Sequence, residues 1–143
     1  MAKSSKPQSR TRQSAPIVRK NTVRLSPEVA RRVRIGHPWV YREALGPRPL
    51  SVEAGTVIDC LDGDGEFVGR GLFEADSAIA VRIFLRRPRT IDTALIRERV
   101  GAAVAMRRRW LSADDQLVCR LINGEADGLP GVVVERYAGF LVV

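Results

Sequence analysis

Thr56-Val-Ile-Asp-Cys-Leu61, Asp62-Gly-Asp-Gly65, Glu66-Phe-Val-Gly-Arg-Gly-Leu-Phe73 and, after Glu74 to Ala78, Ile79-Ala-Val-Arg-Ile-Phe-Leu85 decide the fold. Apolar and β-branched residues dominate three short runs, and a turn of the kind that tightens hairpins joins the first two, so the spacing predicts successive strands. Gly69-Arg70-Gly71 interrupts the second strand, where glycine marks a bulge or a close backbone approach. Several short strands at this spacing with one small helix predict a compact barrel rather than a helical bundle.

The run before these strands, Val29-Ala-Arg-Arg-Val-Arg-Ile-Gly-His-Pro-Trp-Val-Tyr-Arg-Glu-Ala-Leu45, is basic and then aromatic. Thr22 to Leu25 alternates like a strand. Ser26, Pro27 and Glu28 supply an N-cap, a first-turn proline and an early acid for a helix from Pro27 to about Ile35, which Gly36 ends. Trp39 to Ala44 reads as the next strand. Arg31, Arg32, Arg34 and Arg42 suit phosphates, and His37 and Trp39 suit bases or riboses, so the run fits a nucleic-acid surface. It equally fits a solvated helix face followed by alternate core positions of a strand. Arg31, Arg34 and Arg42 are expected along one edge.

Beyond Phe84, Arg86-Arg87-Pro88-Arg89 punctuates the chain as a hinge or a basic rim. Asp92 caps a predicted helix from Thr93 to Leu111, with Ile96, Val100, Ala103, Val104 and Leu111 at helical spacing. Arg107, Arg108 and Arg109 suit its C-terminal dipole. Leu117 to Ile122, Val132 to Arg136 and Phe140 to Val143 read as strands around a turn-rich loop, Asn123 to Gly131. Glu125 and Asp127 fall short of a calcium-loop pattern, and their expected work is to bond turn amides. The apolar run at Val143 is expected to continue in a longer chain.

A chain of 143 residues, 45% of them hydrophobic, holds one domain or two small ones. Lys3, Lys6, Arg10, Arg12, Arg19 and Lys20 give the first 21 residues a charge of +6, and the remaining 18 arginines against 16 acids add only +2. Residues 1–21 therefore read as a disordered basic arm, fitted to non-specific phosphate contact or merely solvated. Cys60 and Cys119 lie in apolar runs and read as core thiols without a disulfide. No run is long enough to span a membrane, no apolar leader is present, and a cytoplasmic location is expected.

Three motifs in one order carry a resemblance: Gly36-His-Pro-Trp-Val-Tyr41; Gly69-Arg-Gly-Leu-Phe73 with Ser77, Ile79 and Arg82; and Arg120-Leu-Ile-Asn-Gly-Glu-Ala-Asp-Gly-Leu-Pro-Gly-Val-Val-Val-Glu-Arg-Tyr137. From about residue 23 onward the chain resembles the PUA-containing, S-adenosylmethionine-dependent bacterial large-subunit (23S) rRNA cytosine-5 methyltransferases. The resemblance implies an α+β, mainly β architecture. A basic tail over 1–21 precedes a PUA-like RNA-binding barrel over 22–88. Residues 89–143 then supply a long helix and the first strands of an incomplete central α/β domain. The Rossmann methyltransferase domain would follow; this chain lacks its glycine-rich cofactor loop, its catalytic cysteine motif and its Asp-Pro-Pro-type motif.

The expected role is to position rRNA for a catalytic domain absent from this chain. Arg31, Arg32, Arg34, Arg42, Arg82, Arg86 and Arg87 are the candidate backbone contacts, and His37 or Trp39 the candidate base contact. No catalytic, cofactor-binding or metal residue is expected within the chain, which is predicted inactive alone; S-adenosylmethionine is expected for the longer parent, and a homodimer is one option for its assembly. A free-standing RNA-binding adaptor and a relative acting on another target are the rival readings.

Overall fold

The computed structural model describes residues 21–46 and 51–143. The predicted basic arm, Asn21 apart, lies outside the described residues, as do Pro47 and Pro49. A five-stranded sheet in the order β1-β3-β4-β5-β2 comes first, and a three-stranded sheet in the order β6-β7-β8 follows. Its strands are β1 (Thr22–Arg24), β2 (Trp39–Tyr41), β3 (Val57–Leu61), β4 (Phe67–Phe73) and β5 (Ile79–Leu85). β1 runs parallel to β3, whereas the β3–β4, β4–β5 and β5–β2 pairs are antiparallel.

Val23 on one edge strand and Val40 on the other belong to the same buried cluster as Ile58, Val68, Val81 and Ile83, so the sheet curls around one core. Helix α1 (Pro27–Arg34) supplies Ala30 and Val33, fully buried at a spacing of three, to that core. The Ser26 hydroxyl accepts the Val29 amide at 3.4 Å, and Gly36 at φ +120° turns the chain after the last helical turn. Arg86 fastens the helix C-terminus by donating to the carbonyls of Val33 at 2.7 Å and His37 at 3.1 Å, and also to Gly36.

The β4 glycines act as the sequence indicated. The β4–β5 register shifts at Arg70/Gly71, and a methyl group on Gly71 would run into the Arg82 carbonyl and lie 2.8 Å from Val81 Cγ1. Asp59 and Arg70 are cross-strand partners whose side chains form a buried two-pronged pair at 2.6 and 2.8 Å. Arg70 also donates to the Arg89 carbonyl at 2.9 Å, tying the following linker to the sheet. Both thiols are free; Cys60 is buried, and burial beside Asp59 pushes its pKa up to about 12, which keeps it a thiol, whereas Cys119 is only half-buried.

Strand β2 is shorter than its sequence suggests. After a register shift at Val40/Tyr41, the chain leaves the ladder for a 3-10 turn over Arg42–Leu45. The Arg42 amide donates to the Ala78 carbonyl, while its guanidinium gathers the carbonyls of Ser77 and Glu74 at 2.6 to 3.0 Å. Those bonds reward the turn over continued pairing.

Helix α2 (Thr93–Trp110) starts where predicted, with the Asp92 carboxylate accepting the Leu95 amide at 2.8 Å. It joins the two sheets. Leu95 packs with Phe84 and Leu85, Ala103 packs with Ile122 and Leu129, and Ile96 touches both groups. The second sheet comprises β6 (Val118–Asn123), β7 (Val133–Tyr137) and β8 (Phe140–Val142), joined in antiparallel pairs. Among the described residues no helix is long and apolar enough to cross a membrane, and no cluster of three metal-ligating side chains exists.

Candidate nucleic-acid interface

Arginines gather at the end of the first sheet where β3 turns into β4 and β5 exits. Arg34 reaches Asp62 in that turn, and Arg24 donates to the carbonyls of Asp62 and Gly63. The Asp62 carboxyl lies below its usual range because of the Arg34 hydrogen bond and the Glu66 and Asp64 amides. Arg32 pairs along the helix with Glu28. Arg86 is committed to the α1 carbonyls, and burial lowers its pKa. Arg31 and Arg87 are exposed, and no carboxylate pairs with either among the described residues. They are the cations at this end most available to an external phosphate.

The sequence grouped Arg31, Arg34 and Arg42 on one edge; the structure separates them. Arg34 sits at the turn before β4, and Arg42 caps carbonyls in the turn after it. A strand of seven residues lies between, roughly 20 Å at the usual rise of about 3.3 Å per residue.

His37, Trp39 and Tyr41 form a ring cluster with centroids 6.0 to 6.4 Å apart. The His37 imidazole Nδ1 lies 3.0 Å from the Trp39 carbonyl oxygen and 3.3 Å from the Trp39 amide, which holds it against the backbone. Trp39 and Arg82 are cross-strand partners on β2 and β5, so both side chains leave the sheet on one face. They converge on the same oxygen of the second sheet's loop: Trp39 Nε1 donates to Glu125 Oε1 at 2.8 Å, and Arg82 Nη1 donates to it at 2.9 Å. Burial raises the Glu125 pKa, yet the bonds from Trp39, its own amide and Arg82 outweigh it and hold the carboxyl below its usual range.

The loop around Glu125 is braced from within. Asp127 accepts the Asn123 amide at 2.7 Å and both prongs of Arg107 at 2.6 and 2.7 Å, which lowers its pKa. Gly128, at φ +69°, ends the 3-10 turn over Gly124–Asp127. Arg99 on α2 bridges the sheets, donating to the Phe84 carbonyl at 2.6 Å and to the Gly128 carbonyl. Asp127 thus serves a turn amide as expected. Glu125 does more, because its side chain leaves the loop for Trp39 and Arg82.

This geometry places all three sequence motifs at one junction, and comparison with known proteins gives them a context. The family model described as a PUA-like domain matches the first sheet and its helix. That match spans residues 23–86. The chain is homologous to proteins named ribosomal RNA large subunit methyltransferase I. It is 32% identical over 120 residues to the one from Alteromonas mediterranea, covering 83% of this chain and 30% of that protein. It is 38% identical over 109 residues to the one from Enterobacter sp. strain 638, covering 75% of this chain and 27% of that protein. The chain therefore spans less than a third of the length of these relatives. A solved structure from Streptococcus mutans, assigned as a SAM-dependent methyltransferase, shares the fold with a TM-score of 0.75 at 12% identity, over 85% of this chain and 31% of its own.

Sequence reasoning placed Trp39 and Arg82 among RNA contacts and missed Glu125 as their shared acceptor. The available signal was that one carboxylate, one indole and one guanidinium stood in separate motifs of the same resemblance.

Proposed function

We propose that this chain is the RNA-binding, RNA-positioning part of an S-adenosylmethionine-dependent methyltransferase that modifies cytosine C5 in large-subunit rRNA. The observation that carries the reading is a PUA-like domain followed, in the order of the relatives, by the motif loop that docks on it. Residues 1–21 are the basic tail, 22–88 the RNA-binding domain and 89–143 the first part of the central domain. Work in the bacterial cytoplasm follows from an rRNA substrate.

Arg31 and Arg87 contact phosphates first, because binding there breaks no existing ion pair. The exposed faces of Arg32 and Arg34 extend the track, Arg86 keeps its capping bonds while adding positive charge, and Arg42 serves a separate contact at the far end of β4. Phosphate contacts of this kind fix register and release counterions without reading sequence. His37 and Tyr41 offer ring edges beside Trp39, whose indole and partner Arg82 are occupied by Glu125.

The last motif's loop does not fit S-adenosylmethionine. The glycine-bearing loop Gly124–Gly131 leads from one strand to another rather than into a helix, and the Asp127 carboxylate and Arg107 fill its interior. No chemical step is assigned to this chain; its work is to grip, orient and exclude alternative registers. The test is binding of the 143-residue chain to an rRNA fragment at several salt concentrations. Affinity falling linearly with salt on logarithmic axes supports the reading, and absent or salt-independent binding overturns it. For the C5 position, the parent enzyme should leave a bisulfite-resistant cytosine in rRNA, and resistance unchanged by its deletion contradicts that assignment.

A further inference from the structure

We propose that Glu125 is a positioning residue that fixes the angle between the PUA-like domain and the β6–β8 sheet, and with it the direction in which bound RNA is presented. The presentation of RNA rests on the function proposed above; the fixed angle rests on geometry alone.

Two donors from adjacent strands meet one carboxylate oxygen. Trp39 and Arg82 are held in register by the β2–β5 ladder, and their bonds to Glu125 Oε1 differ by only 0.1 Å, 2.8 against 2.9 Å. One bond allows rotation about its axis, whereas two from different directions locate the acceptor relative to the sheet. Glu125 itself cannot swing independently. Its loop is closed by the Gly124 amide on the Val132 carbonyl and the Leu129 amide on the Gly124 carbonyl, each at 2.9 Å, and by the Asp127–Arg107 pair. Displacing the Glu125 backbone therefore displaces the second sheet.

A second attachment removes the remaining hinge. Arg99 spans the Phe84 and Gly128 carbonyls, with its guanidinium carbon 5.8 Å from the Phe84 ring centroid. A methyl group on Gly128 would approach the Arg99 side chain to 3.2 Å, so glycine serves both the positive φ and the close passage of the arginine. Apolar clusters tolerate small slides, but charged hydrogen bonds with defined acceptors do not. The polar junction sets orientation, while the packing of α2 supplies cohesion.

The experiment uses the 143-residue chain and its two tryptophans. In wild type, the Trp39 indole N–H is expected to exchange slowly, the Trp110 indole rapidly, and residual dipolar couplings from β3–β5 and β6–β7 to fit one alignment tensor. Glu125→Ala should speed Trp39 indole exchange at least tenfold and split the couplings into two tensors. Amide protection in β3–β5 and affinity for a short single-stranded rRNA oligomer should change less than twofold. Glu125→Gln, which keeps an acceptor for both donors, should restore one tensor. Should Glu125→Ala fail to fold, Trp39→Phe removes a single donor and should still broaden the tensor difference beyond error.

A single tensor retained in Glu125→Ala, or in Trp39→Phe where that variant is needed, overturns the proposal, as do two tensors in wild type. A wild-type chain that holds one tensor but binds no RNA defeats the RNA reading and leaves the fixed angle standing.

Discussion

The two sheets are stabilised in opposite ways. In the PUA-like domain, twelve buried residues from the five strands, α1 and the Leu25 link between β1 and α1 form one continuous cluster, with the Asp59–Arg70 pair sealed inside the fold. Around the second sheet, Ala103 of α2, Ile122 of β6 and Leu129 of the β6–β7 loop form a buried cluster of three among the described residues, while Phe140 is 77% exposed and Leu141 and Val142 face solvent. An open groove of about 330 Å³ beside Phe140, Leu141, Arg108 and Arg136 belongs to that same face. The first sheet holds itself by burial. The second holds its shape through Arg107–Asp127 and its place through Glu125 and Arg99, so it is the region where loss of one polar partner matters most.

Breaking the stronger side of the contrast gives the largest effect. Gly71→Ala should destabilise the whole chain by about 3 kcal/mol, because its methyl meets backbone that cannot yield without opening the β4–β5 ladder. A urea midpoint within error of wild type would remove the bulge from the account. Asp127→Asn should cost about 2 kcal/mol, since the buried pair loses its charge while the Asn123 amide keeps an acceptor. Hydrogen exchange should localise that loss to β6 and β7; equal loss in β3–β5 would mean the sheets unfold as one unit.

Acid should sharpen the same division. Glu125 and Asp127 are held below their ordinary values of 4.5 and 3.8, so the unfolded chain takes up protons before the native one. Their stabilisation is complete above those values and disappears as pH falls through the lowered ones. Amide protection in β6–β7, taken relative to the intrinsic exchange rate, should therefore fall as pH drops below about 4.5, and Glu125→Gln should flatten part of that slope; an unchanged profile would exclude Glu125 from it. Phe140→Ser should be smallest, within about 0.5 kcal/mol, given its exposure, and a loss above 1 kcal/mol by the same urea titration would show that β8 is packed against something.

The strands and both helix starts were legible because their causes are local. Apolar, β-branched runs between turn signals mark β3 to β5, Ser26 and Asp92 cap the helices they precede, and Gly71 sits where the register breaks. Most element ends moved by a residue or so, as fraying ends do, whereas β2 stops at Tyr41, where the Arg42–Leu45 turn takes over. The junction was not legible as contact, since Trp39 and Glu125 are 86 residues apart and Arg82 and Glu125 are 43 apart. Only the resemblance linked their motifs, and it carries no distances. Arg42 misled for another reason: its spacing from Arg34 suggested a shared edge, but the carbonyls it caps lie at the other end of β4. Of the arginines proposed from sequence, the fold occupies most with its own carbonyls and carboxylates, and no pattern of charge could separate those from Arg31 and Arg87.

The central claim, that this PUA-like domain grips RNA at the α1 and β5-exit end, is tested most directly by an Arg31→Ala/Arg87→Ala double variant. Fluorescence anisotropy with an rRNA fragment should be measured from about 50 to 300 mM salt, where each lost phosphate contact lowers the logarithmic salt slope by about 0.7 to 0.9. The account predicts weaker binding with a slope shallower by about 1.5 and an unchanged fold by circular dichroism. An unchanged slope and affinity in the folded double variant would contradict it.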